Sequence, residues 1–388
     1  MTRPKRISFI SSNFTWGGSE ELWSRAAAAL AEQGHLVTAY KNRLNRNEGN
    51  VEQLRAAGVK LVELARFPLL PRRLYSALLW LAPPLSVAWQ MFLLHVCLRF
   101  RKRPDLVVIS QGGNHDGWLL AAICRRLGYR YVVISQKATD LYWPRDTWLA
   151  SVRGIYADAM HAFFVSEHNI RLTEEQIGRR IEQASVIRNP FQVPWDKRSD
   201  WPTEEQGFRM ACVGRLYPKE KGQDLLLRVL AMDKWRARPL TVTFLGAGEQ
   251  REALEEMAAF HRLSNVSFGG YADDVAEIWT KHHGLVLPSR AEGLPLVLVE
   301  AMLSGRVSVV TDVAGNAEVL EDDITGFLAA APSERALDEA MERAWQRRAE
   351  WRSIGEAAAE SIRRHVPADP AGTLASKLLQ LADAHAGS

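Results

Sequence analysis

The chain of 388 residues is poor in cysteine. Its three cysteines, Cys97, Cys124 and Cys212, lie far apart in apolar surroundings, and none belongs to a CxxC pair. An odd, scattered set argues against both a disulfide framework and a zinc site. We therefore expect three buried, reduced thiols in a cytoplasmic protein.

The sequence also lacks a long uninterrupted apolar run. Leu74–Phe100 is its most apolar stretch, but Pro83-Pro84 splits it and polar residues interrupt it. Crossing a bilayer takes about 20 consecutive apolar residues, so a transmembrane helix is not expected. Two interpretations stay open. The stretch is either a buried pair of helices or a membrane-surface contact, because Arg72, Arg73 and the cluster Arg99–Arg103 flank it.

The N-terminus is basic, but the apolar run that follows it, Ile7–Ile10, is too short for a signal peptide and predicts a first β-strand.

The net charge of +4 is unevenly shared, with +9 on residues 1–205 and −5 on the remainder. A basic first half suggests an anionic partner, either a charged acceptor or a membrane surface. No nucleic-acid-binding motif accompanies the charge, so nucleic acid is not expected as a partner.

Short β-rich runs alternate with amphipathic helical stretches in both halves of the chain, which predicts two doubly wound α/β domains with parallel sheets. A stretch rich in proline and charge, residues 191–206, has no periodicity and is typical of a linker. The predicted domains are therefore residues 1–190 and 207–365, and residues 366–388 end in a helix. The predicted strands are Ile7–Ser11, Leu36–Tyr40, Leu106–Ser110, Tyr131–Ser135, Ala162–Val165, Arg209–Val213, Leu240–Leu245, Val266–Phe268, Gly284–Leu287 and Val307–Thr311.

The segment Leu287–Glu300, LPSRAEGLPLVLVE, is the richest in candidate site residues. A strand ends at Leu287, and Gly293 and Pro295 precede a predicted helix whose free N–H groups could hold a diphosphate. Glu292 lies at the loop tip. Glu300, expected about two turns into the helix, could accept both ribose hydroxyls, as an acidic residue does in dinucleotide folds.

A second segment, GRLYPKEKG, follows the strand that ends at Val213. Arg215 and Lys221 are placed to neutralise a diphosphate, Arg through its fork and Lys as a point charge. Lys219 is expected to face solvent. In the first half, Gly17 and Gly18 either free backbone amides to face an anion or form a plain turn with Ser19 as N-cap.

No Walker A motif, GxxxxGK[ST], is present. The run Gly246-Ala247-Gly248 is a fragment of a dinucleotide fingerprint without its third glycine, and a close-packed turn is the better interpretation.

Taken together, GRL…K–G, LGAGE, FGGY, LPSRAEGLPLVLVEAM, TDVAGNAEVL and TGFL resemble the pattern of glycosyltransferase family 4, and Glu292 and Glu300 match that family's E-x7-E motif. The match is strong over about residues 208–330 and looser in the first half. The resemblance implies the GT-B fold, two facing Rossmann-like domains with a cleft between them, and a last helix that returns to the first domain. It also implies a retaining transfer from a UDP- or GDP-sugar to an acceptor hydroxyl, usually without metal or cofactor.

Carried over by position, the resemblance implies roles for single residues. Arg215, Lys221 and Glu292 would serve catalysis. The donor would lie against Gly17, Gly18, Gly270, Tyr271, Gly293, Leu294, Pro295, Leu296, Val297, Glu300 and Gly315. Members often carry a histidine after the strand that corresponds to Tyr131–Ser135. Here Gln136 stands there, and His115 is the nearest substitute, so these two are candidates for contacts with the donor sugar or the acceptor.

The expected role is glycan, glycolipid or polysaccharide synthesis in the cytoplasm, with association at the inner face of the cell membrane as an option. Other interpretations stay open: a GT-B sugar-nucleotide epimerase, a non-catalytic nucleotide-sugar binder, or an NAD enzyme on the strength of Gly246–Gly248 alone. The intact set Arg215, Lys221, Glu292 and Glu300 favours the transferase over a silent binder.

Overall fold

The computed structural model describes residues 3–13, 16–44, 49–64, 83–205 and 207–384. The chain forms two compact units. One consists of the described parts of Met1–Ala138, Tyr142–Pro190 and Asp369–Ser388, and the other of Thr139–Leu141 and Phe191–Ala368. The segment 191–205, which we predicted as a linker, groups with the second unit. The last helix, which follows Ala368, groups with the first.

The first unit contains a seven-stranded sheet with strand order β3-β2-β1-β4-β5-β6-β7, and every pairing is parallel. The strands are β1 Arg6–Ser11, β2 Leu36–Lys41, β3 Lys60–Glu63, β4 Leu106–Gly113, β5 Tyr131–Lys137, β6 His161–Phe164 and β7 Ala184–Val186. The helices are α1 Gly18–Glu32, α2 Gly49–Ala56, α3 Pro83–Phe100, α4 Trp118–Arg126, α5 Asp146–Ala157, α6 Glu167–Ile177 and, from the end of the chain, α16 Pro370–Asp383.

The second unit has a six-stranded parallel sheet of order β10-β9-β8-β11-β12-β13. Its strands are β8 Phe208–Val213, β9 Leu240–Leu245, β10 Val266–Gly270, β11 Gly284–Leu287, β12 Val307–Thr311 and β13 Phe327–Ala329. Its helices are α7 Pro218–Lys221, α8 Gln223–Leu230, α9 Asp233–Arg236, α10 Arg251–Phe260, α11 Val275–Lys281, α12 Leu296–Leu303, α13 Asn316–Val319, α14 Glu334–Gln346 and α15 Trp351–His365, with a 3-10 turn Arg348–Glu350 between the last two. Both sheets have the doubly wound order of a Rossmann fold, as predicted.

The inner strands are continuous apolar runs because helices cover both faces of each sheet. Val107, Val108 and Ile109 in β4 are all fully buried, and so are β11 and β12 in the second unit. The helix α16 completes the core of the first unit, where Leu374 and Leu378 pack with residues of α1 and β1.

Part of the apolar stretch Leu74–Phe100 lies outside the described residues, namely 74–82. The remainder is the single helix α3. Its Leu94 and Leu98 are buried, while Phe92 and Phe100 are 57% and 82% exposed. Within the described ranges, no helix is both long and apolar enough to cross a membrane.

Two of the three thiols are buried, Cys124 and Cys212, whereas Cys97 is only half-buried, contrary to expectation. Burial raises the pKa of both Cys124 and Cys212 to about 12, so these thiols stay protonated and unreactive.

Candidate active site

Loops at the carboxyl ends of β8, β11 and β12 bring some of the predicted donor-site residues into contact, namely Lys221 with Glu292 and Gly293 with Gly315. The helix α12 begins directly after Pro295, as predicted. Glu292 and Glu300 are both only 5% exposed. Glu300 is the fifth residue of α12, which places it little more than one turn into the helix rather than two.

Lys221 and Glu292 form an ion pair in which the Lys221 Nζ lies 2.6 Å from the Glu292 Oε1. The same carboxylate oxygen accepts a 2.6 Å hydrogen bond from the Ser289 hydroxyl. The next residue, Gly222, has a φ of +65°, and a Cβ there would lie 1.9 Å from the carbonyl oxygen of Pro288. Only glycine fits at this close approach, and it brings the end of α7 against the loop that carries Glu292.

Arg215 takes a different position from Lys221. Its guanidinium lies 3.2 Å from the Glu220 carboxylate and over the ring of Tyr217, and its side chain is 63% exposed. The two cations that we assigned to one diphosphate therefore have different partners, and Arg215 is the one held at the surface. Lys219 is exposed, in line with its expected solvent position.

The loops after β11 and β12 are joined by hydrogen bonds. The Gly315 N–H donates to the carbonyl of Gly293 at 2.9 Å, and the Thr311 hydroxyl donates to the carbonyl of Ser289 at 2.6 Å. Ala314, just before Gly315, has a left-handed φ of +53°. Such a conformation costs about 1–3 kcal/mol in a non-glycine residue and is concentrated at ligand-binding loops. Leu294, Leu296 and Val297 belong to the same connection into α12.

Glu300 accepts a 3.0 Å hydrogen bond from the backbone N–H of Gln192. The predicted ribose-binding carboxylate thus also holds the segment that precedes β8.

Gly246 and Gly248 form a close-packed turn, as predicted, because a Cβ at Gly246 would lie 2.0 Å from the carbonyl oxygen of Gly214. The Gly246 N–H donates to the carbonyl of Gly270 at 2.7 Å, and Tyr271 beside it is 74% exposed.

Arg290 is the residue that sequence reasoning left without a role. Its guanidinium binds both carboxylate oxygens of Asp224, at 2.6 and 2.9 Å, and the carbonyl of Pro218 at 2.7 Å. Its backbone N–H donates to the carbonyl of Glu220. Burial opposes the effect, but the hydrogen bonds and charge of Arg290 lower the pKa of the Asp224 carboxyl. Arg290 thereby fixes the turn that carries Lys221. The one feature of the sequence that pointed to a role for Arg290 was its place in the same loop as Glu292.

In the first unit, Gly17 is the N-cap of α1, and Ser19 is not. Ser19 instead accepts a hydrogen bond from the Asn13 side chain. Glu20, which sequence reasoning passed over, is fully buried and pairs with Lys41, with 2.5 Å between the Lys41 Nζ and the Glu20 Oε2. Gly18 is the first residue of the helix.

The two candidates for the missing histidine lie at the carboxyl ends of β4 and β5. Gln136 is 6% exposed and accepts a 2.7 Å hydrogen bond from Asn189. His115 is half-buried and contacts the side-chain oxygen of Asn114 through its Nδ1, at 3.1 Å. Among the described residues, no three His, Cys, Asp or Glu side chains converge as a metal site requires.

Two family matches cover most of the chain. Residues 17–190 match the family described as glycosyl transferase 4-like domain, and residues 207–347 match the family described as glycosyl transferases group 1. Among curated proteins, the chain is 25% identical over 270 residues to a glycogen synthase of Pseudomonas syringae pv. syringae, which covers 60% of this chain and 55% of that protein.

It is also 25% identical over 224 residues to the putative glycosyltransferase EpsD of Bacillus subtilis, covering 56% of this chain and 58% of that protein. The chain thus spans little more than half the length of these two relatives. A third relative, a Campylobacter jejuni α-1,4-N-acetyl-D-galactosaminyltransferase that acts on an undecaprenol-linked glycan, is 23% identical over 87% of this chain and 88% of its own.

Among solved structures, Anabaena HepE in complex with UDP-glucose superposes with a TM-score of 0.74 at 19% identity, over 97% of this chain and 99% of that one. The apo lipopolysaccharide outer core galactosyltransferase WaaB superposes with a TM-score of 0.71 at 16% identity, over 97% and 99%. Likeness at these identities concerns the fold, and it confirms the predicted pair of Rossmann-like domains. The chain therefore has the GT-B fold, in which a segment matching a glycosyl transferase 4-like domain precedes a segment matching a glycosyl transferases group 1 domain.

Proposed function

We propose that this protein transfers a sugar from a nucleoside-diphosphate sugar to an acceptor hydroxyl. The observation that carries the proposal is the Lys221–Glu292 pair at the carboxyl ends of β8 and β11, beside the start of α12. Ligands of open α/β sheets bind at this edge, and the free N–H groups at the start of a helix favour an anion. This arrangement suits a sugar joined to a diphosphate. The cation and the helix start can bind the diphosphate, and the carboxylate can accept hydrogen bonds from the sugar hydroxyls.

In this proposal Lys221 and the first N–H groups of α12, at Leu296 and Val297, neutralise the diphosphate. Arg215 reaches it from the surface. Negative charge grows on the leaving phosphate oxygen as the bond to the sugar breaks, and a fixed cation lowers the barrier by stabilising that charge. Glu292 accepts from sugar hydroxyls, and Glu300 accepts from the ribose. Gly270 and Tyr271 flank the base, and Gly315 borders the phosphates.

The finer assignment follows the family resemblance. We propose a retaining, hexosyl-type transfer of glycosyltransferase family 4, with a UDP or GDP donor and no metal or cofactor. The acceptor oxygen bonds to the anomeric carbon on the face that the phosphate leaves. The departing phosphate oxygen takes the acceptor's proton, so no protein nucleophile is needed. One comparison supports a nucleotide-sugar donor, because the structure of HepE contains UDP-glucose. A second supports transfer to a glycan acceptor, because the C. jejuni relative is named for its transfer of a sugar to a lipid-linked glycan.

In the first unit, Gly17 and Gly18 border the donor phosphates, and Gln136 and His115 contact the donor sugar or the acceptor. We further propose glycan, glycolipid or polysaccharide synthesis at the cytoplasmic face of the membrane. The exposed Phe92 and Phe100 on α3 support contact with a membrane surface, because apolar side chains beside cations suit a bilayer with anionic lipids.

A binding screen followed by a turnover assay tests the proposed function. A ligand that binds the folded state raises the melting temperature by mass action, so thermal shifts against UDP, GDP and their sugars should identify the donor. Release of the nucleoside diphosphate is then measured with and without hydroxyl acceptors. Acceptor-dependent release supports the transferase. A thermal shift without any release would indicate a binding protein, and no shift with any nucleotide would contradict the proposed site.

A further inference from the structure

A pocket of about 470 Å³ opens at the amino edge of the first unit's sheet. Arg6 is the first residue of β1, Asp105 directly precedes β4, and Arg130 directly precedes β5. Because ligands of open α/β sheets bind outside the carboxyl ends of the strands, this pocket is separate from the sugar-transfer site proposed above. Neither the fold nor the proposed function accounts for it.

The lining of the pocket is strongly cationic. Five of its side chains carry a positive charge and one carries a negative charge, and they are Arg3, Arg6, Lys102, Arg103, Arg130 and Asp105. The Asp105 carboxylate already accepts a 2.7 Å hydrogen bond from the Arg6 backbone N–H and a 3.4 Å contact from the Arg3 guanidinium. One carboxylate offsets one cation at most, so an excess of positive charge remains in a concave site.

The Arg6 side chain is the strongest sign of a missing partner. Its Nε is buried and has no hydrogen-bond partner, and no hydrogen bond or ion pair with another described residue uses its guanidinium. A buried charged donor without a partner is costly and calls for a bound ion or water. Lys102 likewise makes no ion pair in the part of the chain that the structure describes.

Two other arginines are held in place by backbone carbonyls and keep donors to spare. Arg103 donates to the carbonyl of Gly128 at 2.6 Å, with its guanidinium over the ring of Tyr129. Arg130 donates to the carbonyl of Leu381 at 2.6 Å through a terminal nitrogen and to the sulfur of Met160 at 3.2 Å through its Nε. A guanidinium has five N–H donors, so each can still offer a fork to a ligand. Fixed forks bind tetrahedral oxyanions bidentately and at low entropic cost.

We propose that this pocket binds a phosphate-class oxyanion, either a soluble pyrophosphate or phosphate ester or the phosphodiester of a lipid headgroup. Five cations around an open pocket repel one another, and a polyvalent oxyanion relieves that repulsion while giving Arg6 the partner that it lacks. A carboxylate ligand suits the site less well, because it brings a single negative charge.

The test is a titration of the full chain with inorganic pyrophosphate, followed by calorimetry and by hydrogen exchange. The double variant Arg6→Gln/Lys102→Gln should bind about tenfold more weakly or worse, since each lost charged donor removes a strong hydrogen bond. The matched control Lys60→Gln/Arg126→Gln removes the same charge from exposed positions of the same unit and should bind like the wild type. The second unit is identical in all three proteins, so pyrophosphate held there does not affect the comparison. Exchange should slow at the backbone amides of Lys102, Arg103, Asp105 and Leu106 and at those of residues 129–131.

Vesicles of phosphatidylglycerol and phosphatidylcholine, compared with pure phosphatidylcholine, distinguish the two sources. Vesicle binding that pyrophosphate competes away and that the pocket variant loses assigns the site to a lipid headgroup. In the alternative outcome, the pocket variant loses pyrophosphate binding, but the pocket and control variants bind vesicles equally. That outcome assigns the site to a soluble phosphate compound. The proposal is overturned if the pocket variant and the control variant bind pyrophosphate with the same affinity, whether or not that affinity is below that of the wild type. It is also overturned if the wild type binds neither probe.

Discussion

At the scale of single residues, Lys221 is the more constrained of the two cations that we assign to the diphosphate. Its side chain is 20% exposed, and its ammonium group is fixed by the buried Glu292. A cation fixed before the reaction needs no reorganisation when charge develops on the leaving oxygen. Arg215, which is exposed and paired with Glu220, lacks this fixed position.

We expect Lys221→Ala to lower turnover by about 10²–10³, because one charge-stabilising donor is lost from the leaving group. Lys219→Ala, which removes an exposed lysine two residues away, should stay within about twofold of wild type, as surface changes usually do. Turnover is measured as nucleotide release with saturating acceptor, and circular dichroism checks the fold. Equal turnover in the two variants would exclude Lys221 from the chemistry.

A second residue-scale prediction concerns His283, which is fully buried in the second unit. Its Nδ1 accepts a 2.9 Å hydrogen bond from the Arg209 backbone N–H. Protonation of this nitrogen would break that hydrogen bond, because Nδ1 would then be a donor facing another donor. Burial and, to a lesser degree, the charge of Arg209 lower the pKa of His283 to about 4. The unfolded chain takes up this proton near pH 6.5 and the folded chain only near 4, so the free energy of unfolding should decrease as pH falls between them.

The decrease has an upper limit of about 3 kcal/mol, from the shift in pKa between the two states. Urea unfolding of the full chain at pH 7.5, 6 and 5 measures it. In His283→Asn, which keeps an acceptor in place, the dependence on pH should be smaller. An unchanged dependence in that variant would show that other groups cause it.

At the scale of elements, the site depends on a short turn that another loop holds in place. The helix α7 is only four residues long, and short helices are marginal without tertiary contacts. Arg290, in the loop after β11, supplies those contacts through Asp224 and the carbonyl of Pro218. The position of Lys221 therefore depends on a guanidinium that itself need not touch the substrate.

We expect Arg290→Gln to lower the free energy of unfolding by about 1–3 kcal/mol. The Asp224 carboxylate then keeps only Arg228, on one of its two oxygens, and the Pro218 carbonyl loses its charged donor. Arg290→Lys should not restore it, since an ammonium cannot reproduce the fork. The control is Arg335→Gln, whose partner Glu339 lies 3.8 Å away at an exposed site and whose loss should cost almost nothing. Urea unfolding measures all three, and equal stabilities of Arg290→Gln and Arg335→Gln would contradict this role.

The sequence predicted the inner strands well because burial on both faces produces continuous apolar runs, as in β4 and β12. It missed the edge strands β3, β7 and β13, because strands of three or four residues are too short to show a periodic pattern. For the candidate site, the family resemblance assigned Lys221 and Glu292 to the same donor, and their side chains form an ion pair in the structure. The resemblance could not predict that Arg290 reaches Asp224, because that contact depends on how two loops pack in three dimensions.

At the scale of the whole molecule, each unit has its own core. The first unit is built from both ends of the chain, because its last helix follows the whole second unit in sequence. The segment expected to be a free linker belongs to the second unit. The buried guanidinium of Arg306 donates to the carbonyls of Asp200 and Trp279 and lies over the ring of Trp201. Burial lowers the pKa of Arg306 to about 10, a sign of how far it is removed from water.

We expect a fragment of residues 191–368 to be more stable than one of residues 207–365. The shorter fragment leaves the Arg306 guanidinium without the Asp200 carbonyl and exposes the aromatic surface that Trp201 covers. A hydrogen bond to a charged group typically contributes about 1.5–3 kcal/mol. Thermal melting with and without UDP measures both stability and binding. If the two fragments melt at the same temperature, the segment 191–206 does not stabilise the second unit.

The return of α16 to the first unit has a consequence for synthesis on the ribosome. Leu374 and Leu378 fill the first unit's core next to β1 and α1, yet they leave the ribosome only after the whole second unit. Nearly the entire second unit, residues 191–368, is by then available to fold. Until α16 emerges, the apolar side chains of α1 that pack against it in the finished protein lack this cover. The half that is made first is thus the half completed last.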